Sequence, residues 1–176
     1  MMKMSVMKYV LVILITYANL CQAQIAYLVD DANAIYELDM ITCTSQHIFT
    51  FDLEDTLQDL AINAVGQLYG ITERGNLYNL DPENGVSVLV HSFLFLQSFN
   101  ALWQNDQGLI FTTGSEGFLY TYSPQTNEER FLGDIGFTTT GDLIYRAGQL
   151  YASSDEREVI LIDPSTLQQC GDYEYP

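Results

Sequence analysis

The stretch from Leu68 to Pro82, LYGITERGNLYNLDP, recurs in altered form along most of the chain. Registering the other copies on it places Tyr27, Tyr69, Phe111 and Tyr151 in one column, at intervals of 42, 42 and 40 residues. Asp39, Asp81, Ser123 and Asp163 make a second column at the same intervals. A period near 40 built from short strands marks a propeller or a comparable array, whose units bury their apolar faces only against one another.

Each unit reads as four short antiparallel strands. In the second, Asp59–Asn63 is a short apolar segment, Val65-Gly66 turns, and Gln67–Thr72 is the next strand. Glu73-Arg74-Gly75-Asn76 then supplies residues that tolerate positive φ, as a tight hairpin between twisted strands requires. Leu77–Leu80 returns to Asp81-Pro82-Glu83-Asn84-Gly85, where Pro presets a turn φ and Asp bonds its own downstream backbone. Val86–Val90 closes the unit with β-branched residues. The third unit repeats the plan with Phe99–Trp103, Leu109–Thr113, Phe118–Tyr122 and Glu129–Leu132, and the fourth with Asp142–Tyr145, Gln149–Ser153, Val159–Ile162 and a last outer strand over Cys170–Tyr175.

The first unit starts directly at Ala26-Tyr27-Leu28-Val29, the second strand of the pattern, and so lacks an inner strand. The expected fold is all-β: a four-unit β-propeller, or part of a larger one, with units near 24–54, 55–95, 96–137 and 138–176. Two readings stay open: a fifteen-strand ring, or the opening part of a longer array. The missing strand leaves an edge that self-association would cover.

The patterns GQLYG…GNLYNLDPENG and GQLYA…VILIDPSTLQ resemble secreted bacterial β-propeller repeats of the LY…LDPxTG type, found at the N-terminus of Bacteroidota cell-surface and adhesin-like proteins. That resemblance covers nearly all of residues 24–176 and implies blade geometry and a surface setting. It carries over no catalytic residue.

Lys3 and Lys8 precede an apolar run, Tyr9–Ala18, and Cys21-Gln22-Ala23 follows, the layout of a secretory signal peptide over residues 1–23. Leu20 stands before Cys21 where a lipoprotein signal places a small residue, which favours simple cleavage and a secreted or cell-surface location without membrane insertion. Both lysines leave with the signal, so four arginines face 23 acids and the net charge becomes 4 − 23 = −19. A field of that sign repels nucleic-acid phosphates and anionic lipid.

Candidate sites are few. The hairpins between second and third strands share one face and carry Asp30, Asp31, Glu73, Glu116, Asp155 and Glu156, an acidic rim whose oxygens suit calcium if they converge. Solvated hairpin tips account for the same acids without a ligand. Export permits a disulfide between Cys43 and Cys170, which in a closed ring would join the first and last units at a gain of roughly 4 to 5 kcal/mol; two free thiols are the other reading. His47 and His91 fall on outer strands and read as packing residues, and the aromatic columns and Trp103 read as structural. Apolar inner segments such as Leu60-Ala61-Ile62 argue against catalysis, so the expected role is a non-catalytic binding or scaffold module engaging a protein or glycan at the cell surface. A propeller enzyme, a lyase or glycosidase with channel carboxylates, is the alternative, as is a truncated N-terminal fragment of a larger surface protein.

Overall fold

The computed structural model describes residues 25–63, 65–94, 97–146 and 148–174. Residues 1–23, where a signal peptide is expected, and Phe95-Leu96 lie outside the described residues.

Four small antiparallel sheets follow one another along the chain and form a four-bladed β-propeller. Blade 1 holds β1 (Ile25–Val29), β2 (Ala34–Asp39) and β3 (Thr44–Thr50). Blade 2 holds β4 (Leu57–Ile62), β5 (Leu68–Thr72), β6 (Asn76–Asp81) and β7 (Val86–Ser92). Blade 3 comprises β8 (Phe99–Gln104), β9 (Ile110–Gly114), β10 (Phe118–Ser123) and β11 (Glu128–Asp134), and blade 4 comprises β12 (Thr139–Arg146), β13 (Gln149–Ser154), β14 (Glu158–Ile162) and β15 (Gln169–Glu174). The described residues therefore form fifteen strands in sheets of three, four, four and four, and the first blade lacks its inner strand as the repeat foretold.

Strand alternation decides what each blade buries. Ile35, Phe51, Leu57, Leu68 and Leu80 make the core between blades 1 and 2. Ile71, Leu77, Phe93, Phe99, Leu102 and Tyr120 fill the next junction, and Leu119, Leu143, Leu150, Ala152, Ile160 and Ile162 the junction of blades 3 and 4. Inner strands β4, β8 and β12 touch one another around the axis. Among the described residues, no strand of blade 1 approaches a strand of blade 4 within 8 Å between Cα atoms, and that junction has no buried cluster. Among the described residues, blade 1 presents no inner strand near the axis for β12 to pack on.

A repeated backbone clamp holds each linker between blades. Phe51, Phe93 and Ile135, spaced by 42, donate their N–H to the carbonyls of Asn33, Gly75 and Gly117, each at 3.0 Å. On the far side of each linker, Thr56, Ser98 and Thr138 accept from Glu73, Ser115 and Asp155 at 3.2, 3.0 and 3.3 Å. The hairpins that the sequence marked as a shared face thus lie side by side along the linkers. Their tips turn through Asn33 (φ 60°), Gly75 (83°), Gly117 (70°) and Arg157 (67°), one column of the repeat held in the left-handed region.

Candidate functional site

Opposite the hairpin face, blades 3 and 4 splay apart into a cleft of about 1060 Å³. Its wall on blade 3 is one cross-strand row: Trp103 pairs with Phe111, Phe111 with Thr121, and Thr121 with Arg130. Such a row occupies one face of a sheet because residues in register project to the same side. Tyr145 and Arg146, at the end of β12, and Pro164-Ser165, in the turn after β14, supply the other wall.

The aromatic groups form a stepped platform. Trp103 lies 5.6 Å from Phe111 and 5.6 Å from Tyr145, tilted by 48° and 32°. Phe111 and Tyr145 are nearly parallel, at 16° and 6.3 Å. Phe111 is buried, whereas Trp103 and Tyr145 are partly buried and pack against the core between blades 3 and 4. Around them stand polar groups with defined orientations. Asn105 Oδ1 accepts from the N–H of Gln107 (3.0 Å) and Leu109 (2.8 Å), which fixes the loop between β8 and β9. Arg130 Nη2 donates to both oxygens of Glu128, at 3.2 and 3.1 Å. Arg146 is exposed and has no hydrogen bond or ion pair among the described residues.

The repeat places a second cleft at the equivalent position between blades 1 and 2, of about 330 Å³, lined by Tyr27, Ile62, Gln67, Asp81, Pro82 and Glu83. Tyr27 corresponds there to Phe111, and Pro82-Glu83 to Pro164-Ser165, but no arginine and no tryptophan enter. Blade 2 has Ala61, Tyr69, Asn79 and Val88 where blade 3 has Trp103, Phe111, Thr121 and Arg130. Trp103 packs against the core between blades 3 and 4, as the sequence reading expected, and also lines the larger cleft. The available signal was the place where the repeat breaks its own pattern, with the single tryptophan standing where blades 2 and 4 have Ala61 and Ile144, and Arg130 where blades 1, 2 and 4 have Gln46, Val88 and Gly171.

The calcium rim expected from Asp30, Asp31, Glu73, Glu116, Asp155 and Glu156 is not assembled. Among the described residues no three Asp, Glu, His or Cys side chains come together as a metal-binding group. The hairpins share a face, but their tips belong to separate blades, and two of the acids, Asp30 and Glu73, are engaged locally. Asp30 Oδ1 accepts from Ala34 N–H (2.9 Å) and Ala32 N–H (3.0 Å), and Oδ2 from the Tyr36 hydroxyl (3.0 Å). These bonds, that from Ala34 foremost, hold its carboxyl below the usual range. Glu73 Oε1 accepts from Ser98 Oγ at 3.3 Å. Asp31, Glu116, Asp155 and Glu156 are exposed.

Cys43 and Cys170 are both exposed and unbonded, so the staple between first and last blades is not made. Cys43 sits in the turn between β2 and β3 and Cys170 on outer strand β15, at the two ends of the array that do not pack together. The histidines do lie on outer strands. His47 Nε2 is 2.9 Å from Thr50 Oγ1, and His91 Nε2 is 2.6 Å from Glu129 Oε2 while its ring stacks on Tyr122 at 4.2 Å, a tie between blades 2 and 3.

Two acids stand on the inner strands, Asp59 on β4 and Asp142 on β12, and the first is bonded across a blade junction. Asp59, on β4, accepts from its neighbour Leu60 N–H (2.7 Å) and, across the blade junction, from Leu102 N–H on β8 (2.6 Å). Burial pushes its pKa up to about 7 against the pull of those two N–H groups, and Asp142 adds a smaller push in the same direction. With both oxygens accepting from backbone, the carboxyl stitches two inner strands together.

No protein-family model matches this sequence, and no curated protein matches it either. Solved structures do. A chain from a nidogen/laminin complex superposes with a TM-score of 0.62 at 10% identity, over 88% of this chain and 77% of that one. An auxiliary nutrient binding protein from Bacteroides thetaiotaomicron VPI-5482 superposes with a TM-score of 0.61 at 15% identity. The fold is shared with both. The chain spans 85% of its own length in the second match but 38% of that protein.

Proposed function

We propose that this chain is an exported, non-catalytic binding module that holds its ligand, a protein or glycan at the cell surface, in the cleft between blades 3 and 4. The observation that carries this reading is the partly buried Trp103–Tyr145 pair lining a cleft of about 1060 Å³. Aromatic side chains lining a cleft together with a few oriented polar groups are the composition of a ligand site, and its volume stands at the upper end of small-molecule pockets. The neighbours named for a complex and for nutrient binding agree with a binding role at the level of fold. The Lys3–Ala23 pattern supports export, and the LY…LDP repeats support a surface propeller of the bacterial type.

Trp103 is the only tryptophan, so its fluorescence reports on the cleft alone. Titration of the purified protein with a mixed panel of oligosaccharides and peptides is expected to give a saturable emission change with at least one of them, and mass spectrometry should recover that ligand unaltered after long incubation. Conversion of the ligand to a product would reassign the protein as an enzyme, and an emission spectrum indifferent to the whole panel would remove the cleft as the site. Expression in a bacterial host with N-terminal sequencing of the exported product should show a chain beginning at Gln24.

A further inference from the structure

Resting on that reading of the cleft, we propose that its ligand is a neutral, hydroxyl-rich oligosaccharide. The first ground is shape. A pyranose ring has an apolar face of C–H groups and an equator of hydroxyls, so it needs a flat aromatic surface flanked by groups that both donate and accept. Trp103 and Tyr145 supply the surface, 5.6 Å apart and tilted by 32°, and an extended cleft of about 1060 Å³ suits several rings better than one.

The second ground is the chemistry of the flanks. Asn105 spends its Oδ1 on the backbone of its own loop, and so offers its amide N–H groups to the cleft. Arg130 is held in place by Glu128 through one terminal nitrogen, which leaves further guanidinium N–H groups as oriented donors, while the exposed Asp106 adds an acceptor. Arg146 has no partner among the described residues and can bond a pair of adjacent hydroxyls.

Charge decides between ligands that stacking and hydrogen bonding alone would admit. The cleft's ionised lining residues are Asp106, Glu128, Arg130 and Arg146, two of each sign, in a chain whose formal net charge is −17. An anionic saccharide or acidic peptide would approach against the field of the whole molecule. A basic peptide would be drawn to acids everywhere on the surface and would meet, in this cleft, two of the chain's few cations. An uncharged ligand is indifferent to the long-range field and can use every group of a balanced lining. The smaller cleft between blades 1 and 2, with Glu83 and no arginine, lacks this balance.

The test is a Trp103 fluorescence titration of the intact protein with neutral gluco-, manno-, galacto- and xylo-oligosaccharides, with oligogalacturonate of the same length, and with glutamate-rich and lysine-rich peptides. At least one neutral series is expected to saturate, with an affinity that stays within about twofold as salt is raised, while the uronate binds about tenfold more weakly or worse at low salt. Tyr145→Ala and Arg146→Gln, each read by calorimetry alongside a melting curve, should weaken neutral binding, by about tenfold and by about threefold or more. Equal or tighter binding of the uronate, or saturation by a peptide and by no neutral saccharide, would overturn the ligand assignment and leave the binding cleft standing. No response to any member of the panel would overturn both.

Discussion

A carboxyl group that titrates near neutrality inside a blade junction makes stability respond to pH at a single residue. Asp59 has a folded-state pKa of about 7, against 3.8 for the free side chain. Between those values the folded protein keeps a proton that the unfolded chain has released. Its contribution is therefore most favourable below about pH 4, declines as pH rises towards 7, and is constant above that. The melting temperature should fall across that window, and Asp59→Asn should flatten the slope. An identical slope in both proteins would show that other groups set it. Asp30, Asp39, Asp81 and Asp163 work in the opposite direction, since hydrogen bonds hold each below its usual value and their stabilisation is lost as pH falls through the acid range. Each of the last three caps its own turn after the third strand position of the repeat, which is why that column is acidic in three of four units.

Among the elements, the second-to-third-strand hairpin does the most to place one blade on the next. Its carbonyl at the left-handed position receives the linker's N–H, and in blade 1 the residue there is Asn33, not glycine. The buried Asn33 side chain donates to the Asp55 carbonyl (3.1 Å) and accepts from Leu57 N–H (2.7 Å), fixing the chain at the point where β4 begins. Asn33→Ala should cost about 1–3 kcal/mol because it orphans a buried N–H, measured by denaturant unfolding. Asn33→Gly would keep the backbone geometry and lose the same bonds, so the two variants separate strain from hydrogen bonding. Gly117→Ala belongs to the same column, and its new Cβ would lie 2.5 Å from the Phe137 carbonyl at φ +70°. A loss above about 1 kcal/mol is expected there, and a neutral result would mean the linker moves freely.

At the scale of the whole molecule, three packed junctions carry four blades, and the surface carries a large excess of acid. Four arginines and two lysines oppose 23 acids. Self-repulsion on that surface opposes compaction, and raising ionic strength from about 0.01 M to 0.15 M shortens its reach from about 30 Å to 8 Å. The melting temperature should rise over that range, and a flat or falling trend would show that long-range repulsion is a minor cost. Among the described residues the junction between blades 1 and 4 is unpacked, in keeping with the three strands of blade 1. Propeller blades meet most closely through their inner strands, and blade 1 begins with its second.

The propeller, its four units and the short first blade were legible in the sequence because strand alternation and turn chemistry are local, and a period of about 40 repeats them often enough to be seen. Gly75, Asn76 and the Asp81-Pro82 turn announce their conformations within a few residues. The cleft was not legible in that way. Trp103, Phe111, Thr121 and Arg130 are separated by 8, 10 and 9 residues and become one row only through the register of four strands. Tyr145 and Arg146 join them only because blade 4 packs on blade 3. Likewise the acids of the hairpin face share a side of the molecule, as the repeat implied, but convergence on a cation depends on distances between blades, and the tertiary structure keeps them apart. Sequence by itself determined the repeating unit, since each strand and turn answers to its neighbours along the chain; which side chains meet was decided by the packing of blade on blade.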